Sequence, residues 1–489
     1  MKKKKQGHRW FRRKRVLLPT LGLAGSLGMY GWTDQVPPPP GSYFEGQPHI
    51  TENVQFITDS SWLNAQGQRE LEQSIFDSVI EMIQGASNFI LLDMFLFNDY
   101  QGPVPETTRG ISAELTQALL QQKSLYPDIE IVVISDPINT VYGGAVSKHF
   151  EALESANIKV VLTDLTRLRD SNPVYSFIWR WLIRPFGNTQ GGTLPNPFGA
   201  GRVTLRSYLR MVNFKANHRK VLITDSPAEG LRALVTSANP HDGSSAHRNV
   251  ALLFDGDAVI DLLGAENAVL KLSGAEPVVP PESRKDADQI ESIADASTVQ
   301  VVTEQRIKEA ALEQLEVMPA GSRVDLLMFY LSDRDVVEAL VHAHKRGVNV
   351  RVILDVNRDA FGREKNGVPN RPVAHELHKA GIPVRWCDTQ GEQCHAKTLF
   401  TQTAGETTLL LGSANYTRRN LDNFNLESNV LLKGSSRTPA LTAAAAYFDT
   451  QWNNSDGRSY TVDYSVHRDE SLVRRWLYRS MEATGLSTF

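Results

Sequence analysis

Cysteine is nearly absent from this chain. Two occur in 489 residues, Cys387 and Cys394, with neither a Cys-x-x-Cys pair nor the His/Cys spacing of a metal site. That excludes a small disulfide-framework protein and a zinc module. Two readings of the pair stay open: a pair of small buried hydrophobes, or one disulfide across residues 388–393 in an oxidising compartment. Net charge is also small, at −3. Residues 2–15 hold nine basic side chains and no acidic one, which leaves about −12 on the rest. A body that acidic does not suit a nucleic-acid groove.

Charge is then missing altogether from residues 16–32, a run of 17 residues before the prolines Pro37 to Pro40. Basic residues followed by an uncharged run read as a membrane-targeting segment, either a short signal anchor or a signal peptide cleaved near Ala24-Gly25-Ser26. Both place the body across the membrane from the basic end. A basic tail that stays soluble is the bland alternative. With 41% hydrophobic and 22% charged residues, the remainder has ordinary globular composition for two or three domains.

What the chain does have is one pattern written twice. His218-Arg219-Lys220 is followed by an apolar run, Asp225 and then Ser237-Ala238-Asn239. His395-Ala396-Lys397 is followed by an apolar run, Gln402 and then Ser413-Ala414-Asn415. Asn239 lies 21 residues after His218, and Asn415 lies 20 after His395. Strand alternation puts the His and Lys of each copy on one face. Lysine neutralises phosphoryl oxygens, and imidazole attacks or transfers a proton, so the pairing suits phosphate chemistry.

At these residues the chain resembles the phospholipase D superfamily, with its double His-x-Lys-x4-Asp motif, and in particular bacterial phospholipase D-like and cardiolipin synthase-like proteins. The resemblance implies two pseudo-repeated α/β-sandwich halves with one active site between them, so a monomer with an internal pseudo-dimer. It implies His218 as nucleophile and His395 as general acid/base, with Lys220, Lys397, Asn239 and Asn415, helped by Ser237 and Ser413, on the phosphate. Neither metal nor other cofactor is expected. The substrate implied is a glycerophospholipid at a membrane, hydrolysed or passed to an alcohol through a phosphohistidine. No nucleic acid is expected as a partner. The expected location is anchored to, or exported across, a bacterial inner membrane, with the body extracytoplasmic.

The order of elements fits a repeat. Helices are expected at 70–83, 111–123 and 148–157, and strands at 88–97, 130–135, 159–162 and around His218. The second half repeats this with helices at 308–317, 335–346 and 373–380, and strands at 323–331, 348–355, 383–387 and around His395. Met94-Phe95 matches Met328-Phe329. Alternating strand and helix predicts a largely parallel sheet in each half. The expected divisions are residues 1–48, a first half at 49–276, a Pro-rich linker at 277–297 and a second half at 298–489. The first half carries an insertion at about 165–212, whose core at 174–186 is aromatic and basic. It reads either as a hairpin or lid packed on the fold, or as a surface carrying Trp179 and Trp181 to a membrane.

Two departures from the pattern stand out. Gln402 replaces the second motif Asp; Asp225 is expected to support its strand away from the reacting centre. The family also carries an acid downstream of each Asn to orient a histidine. Glu427, 12 residues after Asn415, fits, whereas no carboxylate lies between Asp242 and Asp255. The competing functions are a nuclease of the same superfamily and a non-catalytic descendant that only binds phospholipid.

Overall fold

The computed structural model describes residues 36–489 apart from residues 52, 103, 227–229, 281–296, 361–362, 486 and 488–489. The expected membrane-targeting run at 16–32 and most of the expected linker lie outside the described residues. No helix among the described residues is long and apolar enough to cross a membrane.

Two large sheets form the molecule, and seven strands of each follow the same order. In the first sheet the order is Gln55–Leu63, Asn249–Asp255, Gly230–Thr236, Lys220–Ser226, Phe89–Met94, Glu130–Ser135 and Lys159–Leu162. In the second it is Ser297–Thr303, Ser428–Gly434, Thr407–Gly412, Lys397–Gln402, Arg323–Met328, Asn349–Leu354 and Val384–Cys387. Each motif strand therefore sits at the centre of its sheet. Residues His49–Thr51 leave the first half and pair with Ser297–Thr303 in the second sheet.

The sheets are not largely parallel. In each, only the last three strands run parallel, joined by helical crossovers, while the motif strand and its neighbours on the other side are antiparallel. The cause is connection length. Only residues 403–406 join Lys397–Gln402 to Thr407–Gly412, too few for a crossover, so a hairpin forms.

Strand alternation explains how the halves meet. Val221 and Ile223 point inward, and together with Val235, Leu252, Leu411 and Leu432 they belong to one continuous core shared by both sheets. Leu222 and Leu234 point outward into a separate core under the first half's helices. The second half has its own outer core around Leu326, Val352 and Trp386. Burying one such side chain contributes about 1.5–3 kcal/mol, so exposing the shared face of either half would cost far more than a domain's net stability.

Local chemistry moved some boundaries. The helix expected at 70–83 starts at Ile75, because the Asp59 carboxylate accepts from the amides of Ser74 at 2.8 Å and Ile75 at 3.0 Å. Arg69–Glu72 instead forms an edge strand against Gln55–Leu63. In the insertion, the segment at 174–186 is a helix, Pro173–Leu182, followed by a short 3-10 turn, Arg184–Phe186. A small hairpin and the helix Leu205–Met211 follow and lead directly into the first motif. Trp179 is buried, contrary to its expected membrane role, whereas Trp181 is 68% exposed. Pro173 at the helix start puts positions 176 and 179 on the inner face, one turn apart. Cys387 and Cys394 form a disulfide between the end of one strand and the approach to the second motif.

Candidate active site

Each histidine sits just ahead of its strand and is pinned by the opposite half. The His218 amide donates to the Leu426 carbonyl at 2.8 Å, and the His395 amide donates to the Arg248 carbonyl at 2.9 Å. One residue earlier, a buried carboxylate fixes each approach. Asp136 accepts from the Asn217 amide at 2.8 Å, and Asp355 accepts from the Cys394 amide at 2.8 Å. These matched bonds place the two motifs as pseudo-twofold equivalents across the shared core. Lys220 and Lys397 open their strands. Each ammonium donates back to the carbonyl of its own histidine residue. Phe95 and Phe329 wall the site, with ring centres 4.8 Å from His218 and 4.9 Å from His395.

The two imidazoles differ in what holds their Nδ1. That of His218 donates to Glu427 Oε2 at 2.9 Å. Glu427 comes from the other half and is completely buried. Its carboxylate also accepts from the Ser413 hydroxyl and the Asn420 amide. Burial would raise the Glu427 pKa, but His218, Lys220 and these bonds hold it below the ordinary carboxylate value, so it is ionised. His395 Nδ1 instead lies 3.1 Å from Asn249 Oδ1. The amide orientation is set by its other bonds. Asn249 Nδ2 donates to the His247 carbonyl at 3.1 Å, and its Oδ1 accepts from the Ser237 hydroxyl at 3.0 Å. Asn249 thus fills the place in the first half that Glu427 fills in the second. With Nδ1–H committed in both rings, each Nε2 carries a lone pair.

The buried basic groups are poised to gain protons when an anion binds. Burial lowers the His218 pKa to about 4, against the pull of Glu427, and lowers the Lys220 pKa to about 7. Burial, then the charge of Lys397 and of His247, holds His395 well below its usual value. Lys397 is likewise well below the ordinary lysine value, through burial and then Lys220. Protonated together, these groups would repel one another across the interface. A phosphodiester placed among them would relieve both the desolvation and the repulsion.

The other residues singled out by sequence fall into two groups. Asn239 and Asn415 are buried just past the ends of their strands; Asn239 Oδ1 accepts from the Leu96 amide at 3.2 Å, while Asn415 Oδ1 has no hydrogen-bond partner among the described residues. Ser237 and Ser413 turn their hydroxyls to Asn249 and Glu427, and accept from the amides of Val250 and Ser428. Asp225 lies at the far end of the motif strand. It accepts from the amides of Ser87, Asn88 and Phe89 at 3.1, 3.0 and 2.8 Å, and so caps the approach to the neighbouring strand. Sequence reasoning missed Asn249, because the search was for a carboxylate 12 residues after Asn239, whereas Asn249 lies 10 after it. It also missed Asp136 and Asp355, each the residue following the second parallel strand of its half, and the wall residues Phe95 and Phe329.

Residues 316–452, which include His395, Lys397, Asn415 and Glu427, match the family model described as cardiolipin synthase, PLD-like domain. Mouse mitochondrial cardiolipin hydrolase (Mus musculus) is 27% identical over 162 residues, which is 33% of this chain. The match spans 66% of that relative's own length, just under two thirds. Among solved structures, phosphatidylserine synthase from Haemophilus influenzae Rd KW20 shares the fold, with a TM-score of 0.54 and 9% identity over 94% of this chain and 99% of that one. With the duplicated His-x-Lys strands facing one another across a shared core, residues 316–452 form a phospholipase D-like domain and the chain as a whole resembles the phospholipase D superfamily.

Proposed function

We propose that this protein is a phosphodiesterase or phosphatidyltransferase of glycerophospholipids that works through a phosphohistidine on His218. The observation that carries the reading is the unequal support of the two imidazoles: a buried carboxylate for His218 and an amide for His395. A carboxylate stabilises the positive charge that grows on an attacking imidazole. An amide orients the ring but does not retain its proton, so protonated His395 is the stronger acid.

In the first step the His218 Nε2 lone pair attacks phosphorus. The bond to the leaving oxygen breaks, its electron pair goes to that oxygen, and His395, protonated on Nε2 once the phosphodiester is bound, delivers the proton. In the second step His395 Nε2 takes a proton from water or an alcohol, whose oxygen attacks phosphorus while the P–N bond returns its pair to His218. Lys220, Lys397, Asn239 and Asn415 stabilise the phosphoryl oxygens. Ser237 and Ser413 serve by holding Asn249 and Glu427 in place, and Asp225 serves the strand. Hydrolysis and transfer share this course and differ in the acceptor admitted.

The glycerophospholipid part of the reading draws on the family description and on the relatives named cardiolipin hydrolase and phosphatidylserine synthase. The basic and uncharged N-terminal runs and the disulfide favour an extracytoplasmic body tethered to, or exported across, a membrane. The shared core favours a monomer whose two halves supply one site. Purified protein offered labelled phosphatidylglycerol, phosphatidylethanolamine and single-stranded DNA tests the reading. Release or exchange of a lipid head group is expected. Cleavage of DNA alone would make the protein a nuclease, and no turnover of any of the three would make it a binding protein.

A further inference from the structure

The insertion presents two features that the catalytic reading leaves unused. The first is an exposed apolar group on the helix Pro173–Leu182 and the turn that follows it. Trp181, Leu182 and Phe186 are 68%, 67% and 70% exposed, with Phe177 and Ile178 beside them at 48% and 45%. Five such residues in ten positions form a continuous patch rather than scattered surface hydrophobes. The second is charge. Between Asp170 and Asp225 the sequence contains no acidic residue, while Arg180, Arg184, Arg202, Arg206, Arg210 and Lys215 lie in the insertion and the segment that follows it. Such a segment stands out in a body that is otherwise acidic.

The two features meet at a cleft. A cavity of about 270 Å³ is lined by Arg184, Arg206 and Arg210, with Asn188, Thr166 and buried Trp179 completing the wall. None of these three arginines has an ion-pair partner among the described residues. Arg206 donates to the Phe186 carbonyl at 3.1 Å, and Arg210 stands over the Tyr142 ring at 5.8 Å. One carboxylate, Asp164, also lines the cleft; it accepts from the Thr166 amide at 3.0 Å and faces Arg167 at 3.6 Å, and the three arginines outnumber it. Arg180 and Lys215 are tied to buried Asp170 at 2.8 and 2.6 Å, which fixes the insertion to the segment that leads into His218.

We infer that the insertion docks the active site onto an anionic bilayer, with its apolar patch in the interfacial region and the phosphate of an anionic phospholipid seated in the Arg184–Arg206–Arg210 cleft. This rests on the lipid reading above. Apolar and aromatic side chains beside arginines match the boundary between head groups and acyl chains. Arginine is the side chain suited to holding a phosphate in a fork of donors. The insertion runs straight into His218, so a membrane seated here places lipid head groups beside the reacting centre.

The test uses full-length protein with vesicles of phosphatidylcholine alone or mixed with phosphatidylglycerol, read by sedimentation, alongside turnover of a water-soluble phosphodiester. Wild type is expected to bind the mixed vesicles and to lose that binding in high salt. Arg184→Glu with Arg206→Glu, and separately Trp181→Ala with Phe186→Ala, should each weaken vesicle binding about tenfold and leave the soluble turnover and melting temperature near wild type. Unchanged vesicle binding in both variants overturns the inference. So does equal loss of soluble turnover, which makes the segment part of the fold, and so does a change in oligomeric state with vesicle binding intact, which makes the patch a protein contact. Saturation of the cleft by inorganic phosphate, with no preference for anionic vesicles, also overturns it. Lipid turnover without docking sinks only this inference, whereas docking without turnover sinks only the catalytic reading.

Discussion

At the scale of single residues, the molecule's asymmetry reduces to two side chains that hold two imidazoles. Asn249 accepts the Nδ1 proton of His395 as Glu427 accepts that of His218, but without charge. Asn249→Asp should therefore raise the His395 pKa, because the new carboxylate favours the imidazolium. The basic limb of the pH–rate profile should move upward while the protein stays folded. An unmoved profile would mean that Asn249 does not set the protonation of His395. The lysines make a second prediction at this scale. The Lys220 pKa is lowered to about 7 by burial, so at pH 8 most of it is neutral in the empty site. A bound phosphate analogue such as tungstate should recharge it. Calorimetry in two buffers of different ionisation enthalpy should show proton uptake on binding at pH 8. Binding without proton uptake would contradict the account of a charge-poor empty site.

At the scale of elements, each motif strand has its His-x-Lys pair at one end, and the first has the capping carboxylate Asp225 at the other. Asp225 gathers three backbone amides at the end remote from His218. Asp225→Ala should cost about 2–3 kcal/mol of stability in denaturant melts, with turnover per folded molecule near wild type. A large loss of turnover at full stability would place Asp225 in the reaction. The Cys387–Cys394 bridge closes a short loop, a separation of 7 residues, just before His395. Its reduction should lower stability by about 2–3 kcal/mol.

What sequence could reveal followed from how local each signal was. The strands Glu130–Ser135 and Lys159–Leu162 were legible because each is a short run rich in β-branched residues ahead of a turn. Arg69–Glu72 was not, because its alternation of Leu71 with charged residues also fits a helix, and only pairing with Gln55–Leu63 decides. Sheet direction is not legible from the alternation of helix and strand, because the short connections such as residues 403–406 decide it by forcing hairpins. Asn249 was hidden by a shorter loop and by an amide where an acid was sought. The paired His-x-Lys motif was plain because it is written twice in matching frames.

At the scale of the whole molecule, the two halves share one core. The core containing Val221, Ile223, Val235, Leu411 and Leu432 belongs to both sheets, and Glu427 completes the histidine of the other half. Residues 298–489 alone should not give a stable monomer; a well-folded, cooperative monomer in solution would contradict the shared-core account. Acid should also weaken the empty protein. The His218 pKa is lowered to about 4 in the fold, so the unfolded chain binds the extra proton between about pH 6.5 and 4. Stability is therefore lost as pH falls through that window, and a bound anion should oppose the loss.

The most direct measurement of the central claim is the site of covalent attachment. Wild-type protein mixed rapidly with a phosphodiester bearing a good leaving group, quenched in alkali and mapped by mass spectrometry, should carry its phosphoryl adduct on the peptide containing His218. Under the same conditions His395→Asn should accumulate that adduct and His218→Asn should form none. An adduct mapped to His395 in the wild type would reverse the roles assigned to the two imidazoles and contradict the part given to Glu427.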